Sequence, residues 1–264
     1  MRILIVSDVH ANLVALEAVL RDAQRGGAID GVWSLGDCVG YGPQPGECIA
    51  RLRGLGAVMV AGNHERAATG AIGTEEFNSD AAAAAEWTKA RLSVDEKAFL
   101  DSLDEVVRRE VEGDGAGRPA GTQAARQGFT LVHGTLRWPI WEYMMSPEVA
   151  LGHLALQETP FGLVGHTHVP MLVVEDEASP DGCQMYRLDD GDVVGLGDGQ
   201  RVVVNPGSVG QPRDGDRRAS YAVYDTEANS ISLHRVEYEI AATQKLMTEE
   251  GLPLWLIQRL ATGR

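Results

Sequence analysis

The chain has 264 residues, 44% of them hydrophobic, and carries 38 acidic against 23 basic side chains, a formal net charge of −15. That length and apolar content suffice for one large core, while the negative charge argues against long-range attraction of nucleic acid or an anionic membrane. Cys38, Cys48 and Cys183 are an odd number without metal-knuckle spacing, which argues against a disulfide framework and for a reducing compartment. The N-terminus turns acidic at Asp8, too soon for a secretory leader, and no apolar run approaches a membrane span. A cytoplasmic protein without a membrane partner is expected.

Ile3-Leu4-Ile5-Val6 is a continuous aliphatic run, the pattern of a strand covered on both faces, and it ends at Ser7-Asp8-Val9-His10. Open α/β sheets gather their ligand loops at such carboxyl ends. Asn12 is placed to cap a helix with Leu13, Leu16, Val19 and Leu20 on one face, closed by Gly26-Gly27. A second unit follows: strand Gly31 to Leu35, loop Gly36-Asp37-Cys38-Val39-Gly40-Tyr41-Gly42-Pro43, helix Pro45 to Leu52. Cys38 reads as a small buried filler. The third unit is a strand over Ala57 to Val60 that runs into a loop at Gly62-Asn63-His64-Glu65.

From Thr74 to Leu103 the pattern is helical, a pair of packing helices forming an insertion over about 74–103. Glu105 to Val111 reads as a strand, and the Gly-rich polar stretch over 112–127 as a mobile loop. Phe129 to Val132 resumes the sheet and ends at His133-Gly134, ahead of the aromatic stretch Arg137 to Tyr143. A helix from Pro147 to about Gln157 leads to a strand at Phe161 to Gly165, which delivers His166-Thr167-His168. The remainder is β-rich, with strands at Met171 to Val174, Gln184 to Leu188, Val202 to Val204, Ser220 to Tyr224 and Ser230 to Val236. Two short helices, near Ala241 to Glu249 and Leu254 to Leu260, close the chain. No repeat and no linker divides it, so residues 1–264 are read as one domain.

Five of the seven His residues fall in strand-end loops, together with Asp8, Asp37 and Asn63; only His153 and His234 lie outside. Carboxylate, imidazole and amide donors together suit Mn, Fe, Zn, Co or Ni, and six or seven protein ligands are too many for one catalytic ion with open positions. They suffice for two.

The order of motifs D-x-H, G-D, G-N-H-E, H-G and G-H-T-H, from Asp8 to His168, resembles that of the calcineurin-like metallophosphoesterase superfamily. Asn205-Pro206-Gly207-Ser208-Val209-Gly210-Gln211-Pro212-Arg213 is similar to its small single-domain bacterial and archaeal phosphodiesterase branch. The resemblance implies an α/β (α+β) fold, a four-layer αββα sandwich of two mixed sheets flanked by helices, with a dinuclear metal site at the strand ends. It implies Asp8, His10 and His168 on one metal, Asn63, His133 and His166 on the other, and Asp37 bridging them. Two divalent ions, manganese foremost, would clamp a phosphoryl group and turn a bridging water into the attacking hydroxide. His64 would give the leaving oxygen its proton.

Protein phosphatases and diadenosine tetraphosphatases of this superfamily carry G-D-x-x-D-R-G, where Gly40 and Tyr41 stand here. The carboxylate that orients the catalytic His and a phosphate-binding Arg are thus missing, which disfavours a protein phosphatase and leaves Glu65 or a backbone carbonyl to orient His64. Arg137 and Arg213, more than Arg66, are candidate phosphate contacts. Tyr41, Trp138, Trp141 and Tyr143 offer stacking surfaces for a nucleobase. The expected substrate is a small phosphate ester of nucleotide type: a 2',3'-cyclic nucleotide, a nucleotide or a dinucleoside polyphosphate. Alternatives are a non-catalytic scaffold on the same fold, weakened by the presence of His64, and a metallo-β-lactamase-type hydrolase, whose H-x-H-x-D-H cluster does not occur. A homodimer through exposed strands is compatible with this reading.

Overall fold

The computed structural model describes residues 1–113, 125–197 and 199–264. In chain order these form β1 (Arg2–Val6), α1 (Leu13–Arg25), β2 (Gly31–Ser34), α2 (Pro45–Gly54), β3 (Val58–Met59), α3 (Asn63–Thr69), α4 (Ser79–Arg91) and α5 (Val94–Asp101). Then come β4 (Val106–Gly113), β5 (Ala125–Val132), α6 (Pro147–Leu154), β6 (Phe161–Leu163), β7 (Met171–Glu175), β8 (Cys183–Arg187) and β9 (Val193–Gly195). The chain closes with β10 (Val202–Asn205), β11 (Ala219–Asp225), β12 (Ser230–Val236), α7 (Ile240–Glu249) and α8 (Leu254–Arg259). One six-stranded sheet has the order β3-β2-β1-β11-β12-β9 and the other β4-β5-β6-β10-β7-β8. Both are mixed: β1, β2 and β3 pair in parallel while β11 runs antiparallel to β1.

Alternation along the strands explains the layering. Ile3 and Ile5 of β1 join Trp33, Phe129, Leu131, Phe161, Leu163, Val202, Val204 and Tyr224 in a core between the two sheets. Their neighbours Leu4 and Val6 turn the other way and pack with Leu16, Val19, Ile49 and Leu52 of α1 and α2. On the far side Val132 and Val203 pack with Ala150 and Leu154 of α6. A strand buried on both faces must be apolar at every position, which is why β1 and β10 read as unbroken aliphatic runs. The expected four-layer αββα sandwich is the observed one.

Most expected elements are present, with Asn12 accepting from the Ala15 N–H at 3.1 Å to cap α1. Several differ. Strands β4 and β5 run as a long antiparallel pair through Gly113 and Ala125, so both ends of the expected 112–127 loop belong to the sheet; its middle, 114–124, lies outside the described residues. Strand β9, which carries only exposed Val193, buried Val194 and a glycine, had no readable pattern. Asn63 and His64 occupy the first turn of a helix rather than a loop.

Glu65 explains that helix start. Its carboxylate, fully buried, accepts from the N–H of Gly62 (2.7 Å), Asp37 (2.7 Å), Cys38 (2.7 Å) and Val39 (3.3 Å). The first of these caps α3 from within its own first turn; the other three tie the loop after β2 to it. Gly62 has to be glycine here, because a Cβ would stand 2.1 Å from Asp37 Oδ1. Burial and the nearby Asp37 charge push the Glu65 carboxyl up, opposed by the N–H groups it binds. Glu65→Ala strands these buried donors and should lower unfolding stability by about 3 kcal/mol or more, against a smaller loss in Glu65→Gln, read by denaturant melts.

Candidate functional site

The carboxyl ends of β1, β2, β3, β5 and β6 meet at one edge of the sandwich, and each carries its motif there. Three donor groups, Asp8 with His10 and His168, His10 with Asp37 and His64, and Asp37 with His133 and His166, each place their ligand atoms within 4.8 Å of one another. All these side chains are buried. The backbone under them is unusual: Asp8, His10, Asp37, His166 and His168 have φ of 52°, 47°, 52°, 65° and 59°. For an L-residue each such left-handed turn costs on the order of 1–2 kcal/mol, and strain of this kind collects at functional sites.

The imidazoles can be assigned a tautomer, because a carbonyl only accepts. His10 Nδ1–H donates to Val39 O (3.1 Å), His133 Nδ1–H to Leu35 O (2.8 Å), His168 Nδ1–H to Gln211 O (2.6 Å) and His166 Nε2–H to Trp141 O (3.1 Å). The remaining nitrogen of each neutral ring is a bare lone pair turned inward. His10 Nε2 faces His168 Nε2 at 3.1 Å, and His133 Nε2 faces His166 Nδ1 at 3.0 Å. At that distance the bare lone pairs of His10 and His168 repel, whereas His133, held in its charged form by Asp37 and Asp8, has a second N–H to give to His166 Nδ1. Two nitrogens bonded to one cation at about 2.1 Å and about 90° apart would have the same spacing. Metal-bound histidines characteristically give their other N–H to such an acceptor.

The carboxylates tell the same story. Asp8 Oδ2 accepts from Ser7 Oγ (2.6 Å) and the His166 N–H (3.1 Å), while Oδ1, facing His168 Nε2 at 3.1 Å, has no hydrogen bond. Asp37 Oδ1 accepts the His64 N–H (3.0 Å), and Oδ2 lies 3.2 Å from His133 Nε2 and 3.8 Å from His10 Nε2. That central position is the one a bridging ligand needs. Asn63 Oδ1 is buried with no hydrogen bond. Burial alone would raise both Asp groups, yet the surrounding imidazoles hold them well below the usual carboxylate range. Burial pushes His166 down to about 3, whereas Asp37 and Asp8 outweigh burial at His133 and hold it at about 9. The pocket attracts positive charge, and the residues present fit a pair of divalent cations.

His64 is held without a carboxylate. Its ring packs on Tyr41 (4.4 Å between centroids), edge-on to His10 (4.9 Å) and edge-on to Phe77 (5.1 Å), and its Nδ1 has no hydrogen-bond partner. The Gly40 backbone lies under it: at φ +84°, a Cβ there would stand 2.1 Å from His64 Nδ1. Neither Glu65 nor a backbone carbonyl orients the ring. Phe77, which the sequence did not single out, helps to do so.

The expected substrate contacts separate. Arg213 remains at the site, its guanidinium bonded to Gln211 Oε1 (3.0 Å) and reaching Tyr41 OH (3.4 Å), with no carboxylate partner among the described residues. Arg137 is paired with Glu142 at 2.9 Å, and Arg66 with Glu105 and the carbonyls of Leu100, Asp101 and Leu103. Both guanidiniums are thus engaged by acidic partners in this structure. Tyr41, only 8% exposed, is a wall behind His10 and His64 rather than an open platform. Tyr143, 45% exposed, stacks on His166 at 3.9 Å, and Trp141 lies against Phe77 at 5.5 Å. The segment from Asn205 to Gln211 pins the site from behind: Asn205 Nδ2 donates to Gly165 O (2.7 Å) and Thr167 Oγ1 (3.0 Å), and Ser208 Oγ to Asp8 O (2.8 Å). Among the described residues no helix is long and apolar enough to cross a membrane.

Comparison with known proteins agrees with this geometry. The family model of the calcineurin-like phosphoesterase superfamily domain matches residues 1–229. The crystal structure of a metallophosphoesterase from Sphaerobacter thermophilus is 46% identical, with a TM-score of 0.83 over 100% of this chain and 99% of that one. The uncharacterized protein MJ0912 of Methanocaldococcus jannaschii is 35% identical over 263 residues, 99% of this chain and 98% of its own length. Hypothetical protein PH1004 from Pyrococcus horikoshii, at 19% identity, shares the fold with a TM-score of 0.76 over 100% of this chain and 98% of that one. The ordered motifs, the two-sheet sandwich and these likenesses converge: the chain belongs to the calcineurin-like phosphoesterase superfamily, hydrolases that depend on divalent metal ions.

Proposed function

We propose that this chain hydrolyses phosphodiester or phosphomonoester bonds of small nucleotide-type substrates, with two divalent cations, manganese foremost, and with residues 1–264 acting as one catalytic domain. The observation that carries this is the inward-facing set at the strand ends: the bare nitrogens of His10 and His168 facing each other, with Asp8 Oδ1 and Asn63 Oδ1 buried and without a donor among the described residues. Asp8, His10 and His168 would hold one cation and Asn63, His133 and His166 the other, with Asp37 placed to serve both. When bound, such a pair supplies Lewis acidity toward the phosphoryl oxygens and activates water as the nucleophile.

The protein's own groups do the remainder. Arg213 contributes a guanidinium for the phosphoryl oxygens, since nothing acidic holds it back. Tyr41 packs on the His64 ring at 4.4 Å and carries the Arg213 guanidinium over its own ring at 5.7 Å. His64 is the acid that protonates the leaving oxygen: burial holds it down at about 4 in the resting site, and the negative charge of an arriving phosphate ester is what raises it. Its aromatic cage fixes the ring where a second carboxylate does so in relatives.

Asp37→Asn should abolish hydrolysis of bis(p-nitrophenyl) phosphate in manganese with the circular dichroism spectrum unchanged; undiminished turnover would remove Asp37 from the mechanism. Gly40→Ala forces the His64 ring aside and should lower kcat by about 100-fold or more while metal content stays at the wild-type level. A kcat within two-fold of wild type would show that this ring position is irrelevant to turnover.

A further inference from the structure

The site has a second feature that hydrolysis of a bare phosphate ester does not need. Beyond His64 the rings continue outward: Phe77 stands edge-on to His64 at 5.1 Å, and Trp141 edge-on to Phe77 at 5.5 Å. Trp141 opens into a cleft of about 450 Å³ lined by Glu76, Trp138, Trp141 and Glu142. Trp138 is 64% exposed, an unusual fate for an indole. It is held there by a tight loop in which Gly134 N–H donates to Pro139 O (2.6 Å) and Trp141 N–H to Trp138 O (3.1 Å). The same loop receives the His166 ring Nε2–H at Trp141 O, so the cleft wall and the metal-site imidazole are fixed by one piece of backbone.

The two acidic side chains of the cleft differ. Glu142 is already bound, to Arg137 at 2.9 Å and to Thr135 Oγ1 at 2.5 Å. Glu76 is exposed, and no described residue engages its carboxylate. Flat rings with one uncommitted carboxylate at the edge match a flat ligand whose rim carries hydrogen-bond donors. Among the nucleobases guanine offers two adjacent donors, N1–H and the 2-amino group, to the two oxygens of a carboxylate. Adenine and cytosine offer an amino group alone, and uracil turns mainly acceptors outward, which Glu76 repels. Phe77 links Trp141 in the cleft wall to His64, the group proposed to protonate the leaving oxygen, so the base held here is assigned to the departing nucleoside.

We infer that this cleft is a base-reading subsite, in which Trp138 and Trp141 stack a nucleobase of the leaving group and Glu76 selects guanine. The inference deepens the phosphoesterase reading and rests on it for the identity of the leaving side. Neither Glu76 nor Trp138 has a place in the metal site or the proton transfer, so both can be changed without touching turnover of a base-free substrate.

The test is binding of GMP and UMP to the manganese-loaded protein, followed by quenching of tryptophan fluorescence, in the wild type, Glu76→Ala and Trp138→Ala. GMP should bind roughly ten-fold more tightly than UMP, Glu76→Ala should erase that ratio, and Trp138→Ala should weaken both nucleotides by roughly ten-fold. Hydrolysis of glycerol 2-phosphate, whose leaving group has no ring to stack, should stay at the wild-type rate in both variants. Equal affinity for GMP and UMP in the wild type, a ratio that survives in Glu76→Ala, or tighter binding of phosphocholine than of either nucleotide overturns the subsite. Guanine-selective binding in a protein that never hydrolyses the aryl diester would instead overturn the phosphoesterase reading and leave the subsite standing.

Discussion

A neutral imidazole carries a single N–H, and in this protein His10, His166 and His168 commit it to backbone carbonyls behind the site. What remains on these three rings is a set of lone pairs aimed inward at two carboxylates and at a His133 that those carboxylates hold in its charged form. Such an arrangement repels itself in the absence of positive charge. Everything else at the strand ends serves to hold it in place. The Leu35 and Val39 carbonyls come from the loop after β2, and those of Trp141 and Gln211 from two further loops, so each loop fixes a ring that it does not itself carry.

Holding that constellation has a conformational cost, met by the layers beneath. Five of the seven donor residues sit at positive φ, and the inter-sheet core of Phe129, Phe161, Trp33 and Tyr224 supplies the rigid platform from which those turns project. Glu65 plays the same part for the Asp37 loop with its three N–H contacts there, and Asn205 and Ser208 do so for the loops of His166 and Asp8. The conformational burden is therefore shared among residues that never touch the reacting atoms.

Much of this was legible in the sequence, and the division is physical. Apolar runs such as Ile3 to Val6 report two-sided burial by themselves, and the polar residue after each run marks a strand's carboxyl end, so the donor residues could be read locally, while the layer order came only from the family resemblance of the motifs. Contacts that join distant segments could not. Glu65 reaches back 28 residues to Asp37, and nothing near it in the chain announces four backbone donors. Phe77 meets His64 only because α3 ends at Gly70 and the chain turns back. Arg137 looked free after the His133 motif, but its partner Glu142 lies one short turn away. Strand β9 has too few residues to show a period, and the helical start at Asn63 follows from Glu65 rather than from propensity.

The account stands or falls on cation content. Reconstitution with excess manganese, removal of unbound ion and elemental analysis should give two ions per chain, with His133→Ala keeping one and Asp37→Asn losing affinity for both. A wild-type protein that retains no manganese, or a single ion unaffected by either substitution, would contradict it.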